Sequence, residues 1–182
     1  MRSIFFCITP LECLIASKII KKKKIKKEEC ELFFFNSIYN SKIDHYFKIL
    51  NDYCKINKFY LLNKRFPKFI FDIQKYFKNK KYSDVYVAAL DSVIIHTALS
   101  SMNFTNLYTY DDGLGNILKN SVYYNKRKHP ILKRLLYFML GNRYSTKKII
   151  NKSSLHFTIF KKYKNVVSSN TETVDILPNN KY

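Results

Sequence analysis

The near-continuous apolar run Ser3–Ile8 is followed at once by Thr9-Pro10-Leu11-Glu12. A short run without polar alternation is the pattern of a strand buried on both faces, which belongs to parallel sheets covered by helices. The residues after it read as a helix start. Thr9 can cap, Pro10 sits at the first helical position, and Glu12 falls where a capping box wants an acid. The helix predicted here runs through Leu14, Ile15 and Ile19 into Lys21–Lys24, a basic tail suited to the negative end of a helix dipole. Strand passing directly into helix is the unit of a doubly wound sheet, and it recurs along the chain.

Glu31–Phe35 is a second apolar run, and Ile43, Phe47, Leu50 and Cys54 follow at spacings of 4, 3 and 4, a helical stripe. Phe59–Leu62 reads as a third strand, with Phe66, Ile70, Ile73 and Phe77 repeating the stripe. Val85–Leu90, bounded by Asp84 and Asp91, is a fourth strand; Ser92–Ser101 is a helix opened by Asp91, and Asn106–Tyr110 is a fifth strand ending at Asp111-Asp112-Gly113. This alternation predicts an α/β fold, a Rossmann-like parallel sheet with helices on both faces. Ligands of such sheets bind beyond the carboxyl ends of the strands, where Thr9, Asn36, Asp91 and Asp111 are expected. After Tyr124 the pattern weakens to a basic loop, Lys126–Pro130, an apolar helix over 131–140, and one more strand over Leu155–Phe160.

The chain of 182 residues is long enough for one ordinary domain. With 47% hydrophobic residues it is too apolar to be disordered, despite 33 Lys+Arg against 13 Asp+Glu and a net charge of +20. That charge suggests an anionic partner, although the abundance of Lys and Asn beside Ile, Tyr and Phe is also what an A/T-rich genome imposes. Nucleic-acid binding would place basic residues among exposed aromatics, whereas these aromatics fall within strand runs and helix stripes. The four cysteines, Cys7, Cys13, Cys30 and Cys54, form no C-x-x-C pair and lie among apolar residues, which fits a reducing cytoplasm. The first apolar run, about five residues, is shorter than the ~7–15 of a signal core.

Two of the three glycines stand in Tyr110-Asp111-Asp112-Gly113-Leu114-Gly115-Asn116. Adjacent carboxylates at a sheet's carboxyl edge raise one another's proton affinity, one way of making a base that works near neutrality; a nearby cation reverses the effect. No G-x-G-x-x-G, P-loop, G-x-S-x-G elbow or metal-spaced His/Glu set occurs. His45 and His156 read as ordinary surface or core positions, and His96 as a helix residue near the cleft.

Cys7-Ile8-Thr9-Pro10-Leu11-Glu12-Cys13-Leu14-Ile15-Ala16 resembles the first strand and helix of the bacterial lipooligosaccharide sialyltransferases, glycosyltransferase family 52. Tyr110–Ile117 is similar to the acidic-acidic-glycine motif of that family, and Leu155–Phe160 with Lys164-Asn165 to a later family segment. The resemblance implies one half of a glycosyltransferase-B architecture: residues 1–124 as a Rossmann-like acceptor-side domain, and 125–182 as a basic connector, short helix and start of an interdomain region. The donor-binding domain is expected to be missing, and His129-Pro130 stands too early to be that domain's His-Pro motif. The reaction implied is metal-independent transfer of sialic acid from CMP-sialic acid to a terminal galactose of lipooligosaccharide. Asp111 or Asp112 becomes the base, and Thr9, Pro10, Asn36, Asp91, Gly113, Gly115 and Asn116 the expected substrate-binding positions. No cofactor is expected beyond the CMP-sialic acid donor. Further expectations are a cytoplasmic location at the membrane's inner face, contact with its anionic lipids through Lys126–Leu140, self-association, and little turnover by this portion alone. The alternatives are a glucosyltransferase of the same family and a non-enzymatic basic module for nucleic acid or anionic membrane.

Overall fold

A computed structural model describes residues 2–36, 41–61, 66–118, 121, 123 and 131–176. In chain order the elements are β1 (Ser3–Cys7), α1 (Pro10–Lys23), β2 (Cys30–Asn36), α2 (Ser41–Leu50), β3 (Ile56–Leu61), α3 (Lys68–Phe77), β4 (Lys81–Val87), α4 (Val93–Ser101) and β5 (Asn103–Tyr110), then α5 (Ile131–Met139), α6 (Thr146–Lys152), β6 (Leu155–Thr158) and β7 (Thr171–Thr173). The seven strands form one sheet in the order β3-β2-β1-β4-β5-β6-β7, and every described pairing is parallel. This is the doubly wound order, in which the chain reverses direction across the sheet between β1 and β4. The fold read from the alternating runs is thus the fold observed.

Strand pleating divides the core. Ile4, Phe6, Phe33, Phe35, Val85 and Val87 face α3, α4 and α6, where Ile73, Phe77, Ile95, Ala98, Leu99 and Ile149 cover them. Their neighbours Phe5, Cys7, Leu32, Phe34 and Tyr86 face α1 and α2, against Cys13, Ile15, Ala16, Ile19, Ile20, Ile43 and Leu50. Phe5, Phe6, Phe33 and Phe34 are each at most 2% exposed, and burying such a side chain is worth roughly 1.5–3 kcal/mol. Continuous apolar runs arise because both pleat faces are covered.

The α1 start forms as its residues predict. Thr9 Oγ accepts from the Glu12 backbone N–H at 3.3 Å, Pro10 opens the helix, and Glu12 Oε2 accepts from the Ile8 N–H at 2.7 Å. Other boundaries differ. The fourth and fifth strands begin earlier, at Lys81 and Asn103, because their polar first residues pair at the open end of the sheet. Ser92, without a side-chain cap bond, precedes α4, and Asp91 stands exposed beside it rather than capping the helix. Phe66 lies outside α3 and is 45% exposed, while Cys54 lies past α2 with its Sγ 3.2 Å from Cys30 Sγ. α6 and β7 are too short for a periodic signal. β6 and β7 lie beyond the division expected at 124/125, yet they pair onto β5 and each other, so the sheet extends across it.

α5 forms where an apolar helix is expected but packs little: none of its residues is buried, and Ile131, Leu132 and Met139 are 83%, 79% and 74% exposed. The basic loop 126–130, with His129-Pro130, lies outside the described residues. No described helix is long and apolar enough to cross a membrane.

Candidate active site

β1 and β4 are neighbours whose chains leave the sheet in opposite senses, so their carboxyl ends frame the crevice where such folds take ligands. Four segments meet at this edge: Ile8–Glu12 after β1, Leu90-Asp91 after β4, Asp111–Asn116 after β5 and Ile159 after β6. The two adjacent aspartates at its centre have opposite surroundings.

Asp111 is fully buried, and its backbone N–H continues the ladder by donating to the Phe157 carbonyl at 3.1 Å. Its carboxylate accepts four hydrogen bonds. Oδ1 takes them from Asn116 Nδ2 at 2.7 Å and His156 Nε2 at 2.9 Å, and Oδ2 from Thr158 Oγ and the Ile159 N–H, both at 2.7 Å. Burial alone would raise its proton affinity, but the bonds from His156, Asn116 and Thr158 outweigh it and hold the carboxyl below the ordinary aspartate value. All four bonds hold the carboxylate as an anion between β6 and its own turn.

Asp112 points the other way. It is part-exposed, and its Oδ2 accepts a short hydrogen bond from the Tyr123 hydroxyl, which in turn accepts from the Leu90 N–H at 3.3 Å. Burial pushes its carboxyl above the ordinary value, the charges of Asp91 and Asp111 push the same way, and the Tyr123 bond only partly offsets them. The expectation that adjacent acids raise one another therefore holds for Asp112 and reverses for Asp111, where His156 supplies the opposing hydrogen bond and charge.

The two glycines act differently. Gly113 has φ +134°, a conformation that L side chains rarely adopt. A Cβ on Gly115 would lie 3.0 Å from Tyr123 Cε2 and 3.4 Å from Asp112 Oδ1, so its missing side chain is what lets the tyrosine reach the carboxylate. Asn116, 1% exposed, spends its amide on Asp111, and its Oδ1 has no protein partner. Thr9 and Pro10 are occupied with the start of α1. Asn36 ends β2 at the same edge, and its side chain lies outside the described residues. Asp91 is exposed at the edge, with its charge felt by Asp112 and Tyr123.

Three residues were not singled out from the sequence as site residues: Glu12, Tyr123 and His156. Glu12, 2% exposed, has its carboxyl pushed up to about 8, chiefly by burial and further by Asp112. It doubles as the acid of the capping box, which conceals it in the sequence. His96 is structural, its ring nitrogen bonding the Leu90 carbonyl at 2.7 Å. Among the described residues no group of three or more His, Cys, Asp or Glu could hold a metal ion.

Residues 27–181 match the model of the family described as glycosyltransferase family 52. The chain is similar to a CMP-N-acetylneuraminate:beta-galactoside alpha-2,3-sialyltransferase of Pasteurella multocida, 31% identical over 91% of this chain and 54% of the relative. It is similar as well to N-acetyllactosaminide alpha-2,3-sialyltransferases of Haemophilus influenzae, 30% identical over 97% of this chain and 59% of the relative, and Neisseria meningitidis, 29% identical over 97% and 49%. The chain thus spans about half the length of the curated relatives it matches.

Proposed function

The chain belongs to glycosyltransferase family 52, and from that premise we propose that it forms the acceptor-side half of a sialyltransferase, holding a β-galactoside at the carboxyl edge of its sheet. The donor proposed is CMP-sialic acid. The observation that carries the reading is Asp112: a part-exposed carboxylate at the switch point, with raised proton affinity and one oxygen engaged by Tyr123. Such a group suits a neutral sugar, because it accepts a hydrogen bond from a hydroxyl and can take its proton as the new glycosidic bond forms. Asp111, with its acceptor capacity filled, is the frame. Clustered acids on this edge disfavour an anionic ligand, which suits a galactoside better than the nucleotide donor.

Titration of the isotope-labelled chain with lactose tests the first step. Amide shifts confined to 8–12, 90–91 and 111–116 are expected, and Asp112→Asn should weaken binding about tenfold, the cost of one hydrogen bond to a charged group. No shifts, or shifts elsewhere, would remove the reading. The proton-transfer role is tested by substituting this chain for the matching half of the Pasteurella multocida relative. Asp112→Asn should then lower kcat by ~10²–10⁴, whereas an unchanged kcat with a raised KM would move the base to the other half.

We further propose that the acceptor is carried on lipooligosaccharide at the inner face of the cytoplasmic membrane, and that α5 provides a contact surface. Its exposed Ile131, Leu132, Phe138 and Met139 stand beside Lys133 and Arg134, which suits an anionic bilayer. Sedimentation with anionic and neutral vesicles, read beside sedimentation of the protein alone, separates lipid contact from self-association through the same face.

A further inference from the structure

β6 carries two polar side chains in an otherwise apolar strand, His156 and Thr158, separated by one residue and therefore on the same face of the pleat. They are 0% and 4% exposed, and both close on Asp111, at 2.9 Å from Nε2 and 2.7 Å from Oγ. The far side of the imidazole is occupied too: Nδ1 lies 2.9 Å from Thr109 Oγ, which lies 2.9 Å from Ser153 Oγ. An ionised Asp111 accepts only, so the imidazole must carry a proton on Nε2, and the Thr109 hydroxyl fixes the ring plane. β5, β6 and the turn after β5 are thus tied through one carboxylate. Asp112 is the next residue along the backbone, and its carboxylate can be no better placed than the Asp111 it follows.

We propose that His156 is a positioning residue: together with Thr158 it clamps Asp111 and so fixes where Asp112 presents its carboxylate at the edge. His156 is fully buried and works only through the turn. Asp111 gains three donors from β6 and the residue after it, and only one, Asn116, from its own turn. The clamp therefore depends on a segment more than 40 residues downstream, and it joins that segment to the Asp-Asp-Gly turn. Its value to a reaction rests on the reading of Asp112 given above; the clamp itself does not.

The test compares His156→Gln, whose amide can keep a donor near the Nε2 position, with His156→Phe, which fills the space and donates nothing. The readout is the Asp112 carboxyl carbon resonance followed against pH, beside the far-UV spectrum and the amide shifts of β1–β4. His156→Gln should leave the Asp112 titration raised as in the parent. His156→Phe should lower it towards that of an ordinary aspartate, as the turn opens to water and the Tyr123 contact loosens, while the β1–β4 shifts stay in place. Thr158→Val removes a single donor and should give a smaller change in the same direction, also serving if the Phe variant does not fold. An unchanged Asp112 titration in folded His156→Phe, or in Thr158→Val, would overturn the proposal, as would equal effects of Gln and Phe. Should the clamp hold while Asp112→Asn binds lactose as tightly as the parent, the acceptor reading fails and the positioning stands.

Discussion

Glu12 lies 2% exposed among Cys7, Cys13, Tyr110 and Asp112, none of them a cation, and burial is the main reason its carboxyl rises from 4.5 to about 8. Below about pH 4.5 it is protonated folded and unfolded alike and costs nothing. Between 4.5 and about 8 the folded protein alone keeps the proton, so stability falls as pH rises, by about 1.4 kcal/mol per pH unit. At pH 7, which is 2.5 pH units above 4.5, the loss is about 3 kcal/mol, and above pH 8 it levels off near 5 kcal/mol. Glu12→Gln removes the ionisation and keeps the shape. Its carbonyl can accept from the Ile8 N–H, now 2.7 Å from Oε2, and its amide can donate to Thr9 Oγ. Allowing about 1 kcal/mol for an amide that fits the capping bonds less well than the protonated acid, Glu12→Gln should gain about 2 kcal/mol at pH 7 and more at pH 8.5, and should lose about 1 kcal/mol near pH 4. Against a typical total of about 5–15 kcal/mol, urea unfolding at several pH values between about 4 and about 9 resolves this readily. A variant less stable than the parent at pH 8, or a difference that does not change with pH, would refute the reasoning.

Asp111→Asn places an amide against the Thr158 hydroxyl and the Ile159 N–H, two donors facing a donor, and should cost about 3 kcal/mol at neutral pH. Because folded Asp111 titrates below its ordinary 3.8, the parent's advantage should shrink as acid carries the pH below that value, which acid titration of both proteins measures. Asp112→Asn should stay within about 1 kcal/mol of the parent by urea unfolding, the loss of a charge among acids offsetting a weaker Tyr123 bond. Gly115→Ala should cost about 1–3 kcal/mol and shift the Tyr123 ring resonances, since the added methyl meets Cε2 at 3.0 Å. Cys7, Cys13, Cys30 and Cys54 are all buried, and burial pushes the Cys7 thiol up, so a water-soluble thiol reagent should label none in the native protein and all four in denaturant.

The architecture was legible because the helices cover both sheet faces. Ile4–Cys7 and Leu32–Phe35 could not have been half-exposed strands, and the stripe through Ile70, Ile73 and Phe77 has one apolar side to bury. What escaped was short or polar. α6 fully buries only Ile149, with Ile150 partly buried beside it, β7 is three residues long, and the first residues of β4 and β5 are strand by pairing alone. Three-residue pairings are decided by the neighbouring strand, and no window of the β7 sequence contains that neighbour.

The site shows where a linear reading meets its limit. Asp111 and Asp112 are identical letters side by side, and their mutual repulsion is readable from adjacency. Their divergence is not, because a strand end sends consecutive side chains to opposite sides, one into β6 and the other towards Tyr123. The sign of each shift depends on which partner waits there, and both partners lie in other segments. A trace of the first partner was present all the same. A histidine and a threonine spaced by one residue in a strand with Phe157 at its centre cannot be left without bonds once buried, so their run had to meet a polar group on the adjoining strand. The strand ending in Tyr110-Asp111 was the one with a carboxylate to offer. Glu12 left no comparable trace, since its duty in the capping box accounts for it fully in the sequence and its elevated titration arises only where the segments after β1 and β5 meet at the sheet edge.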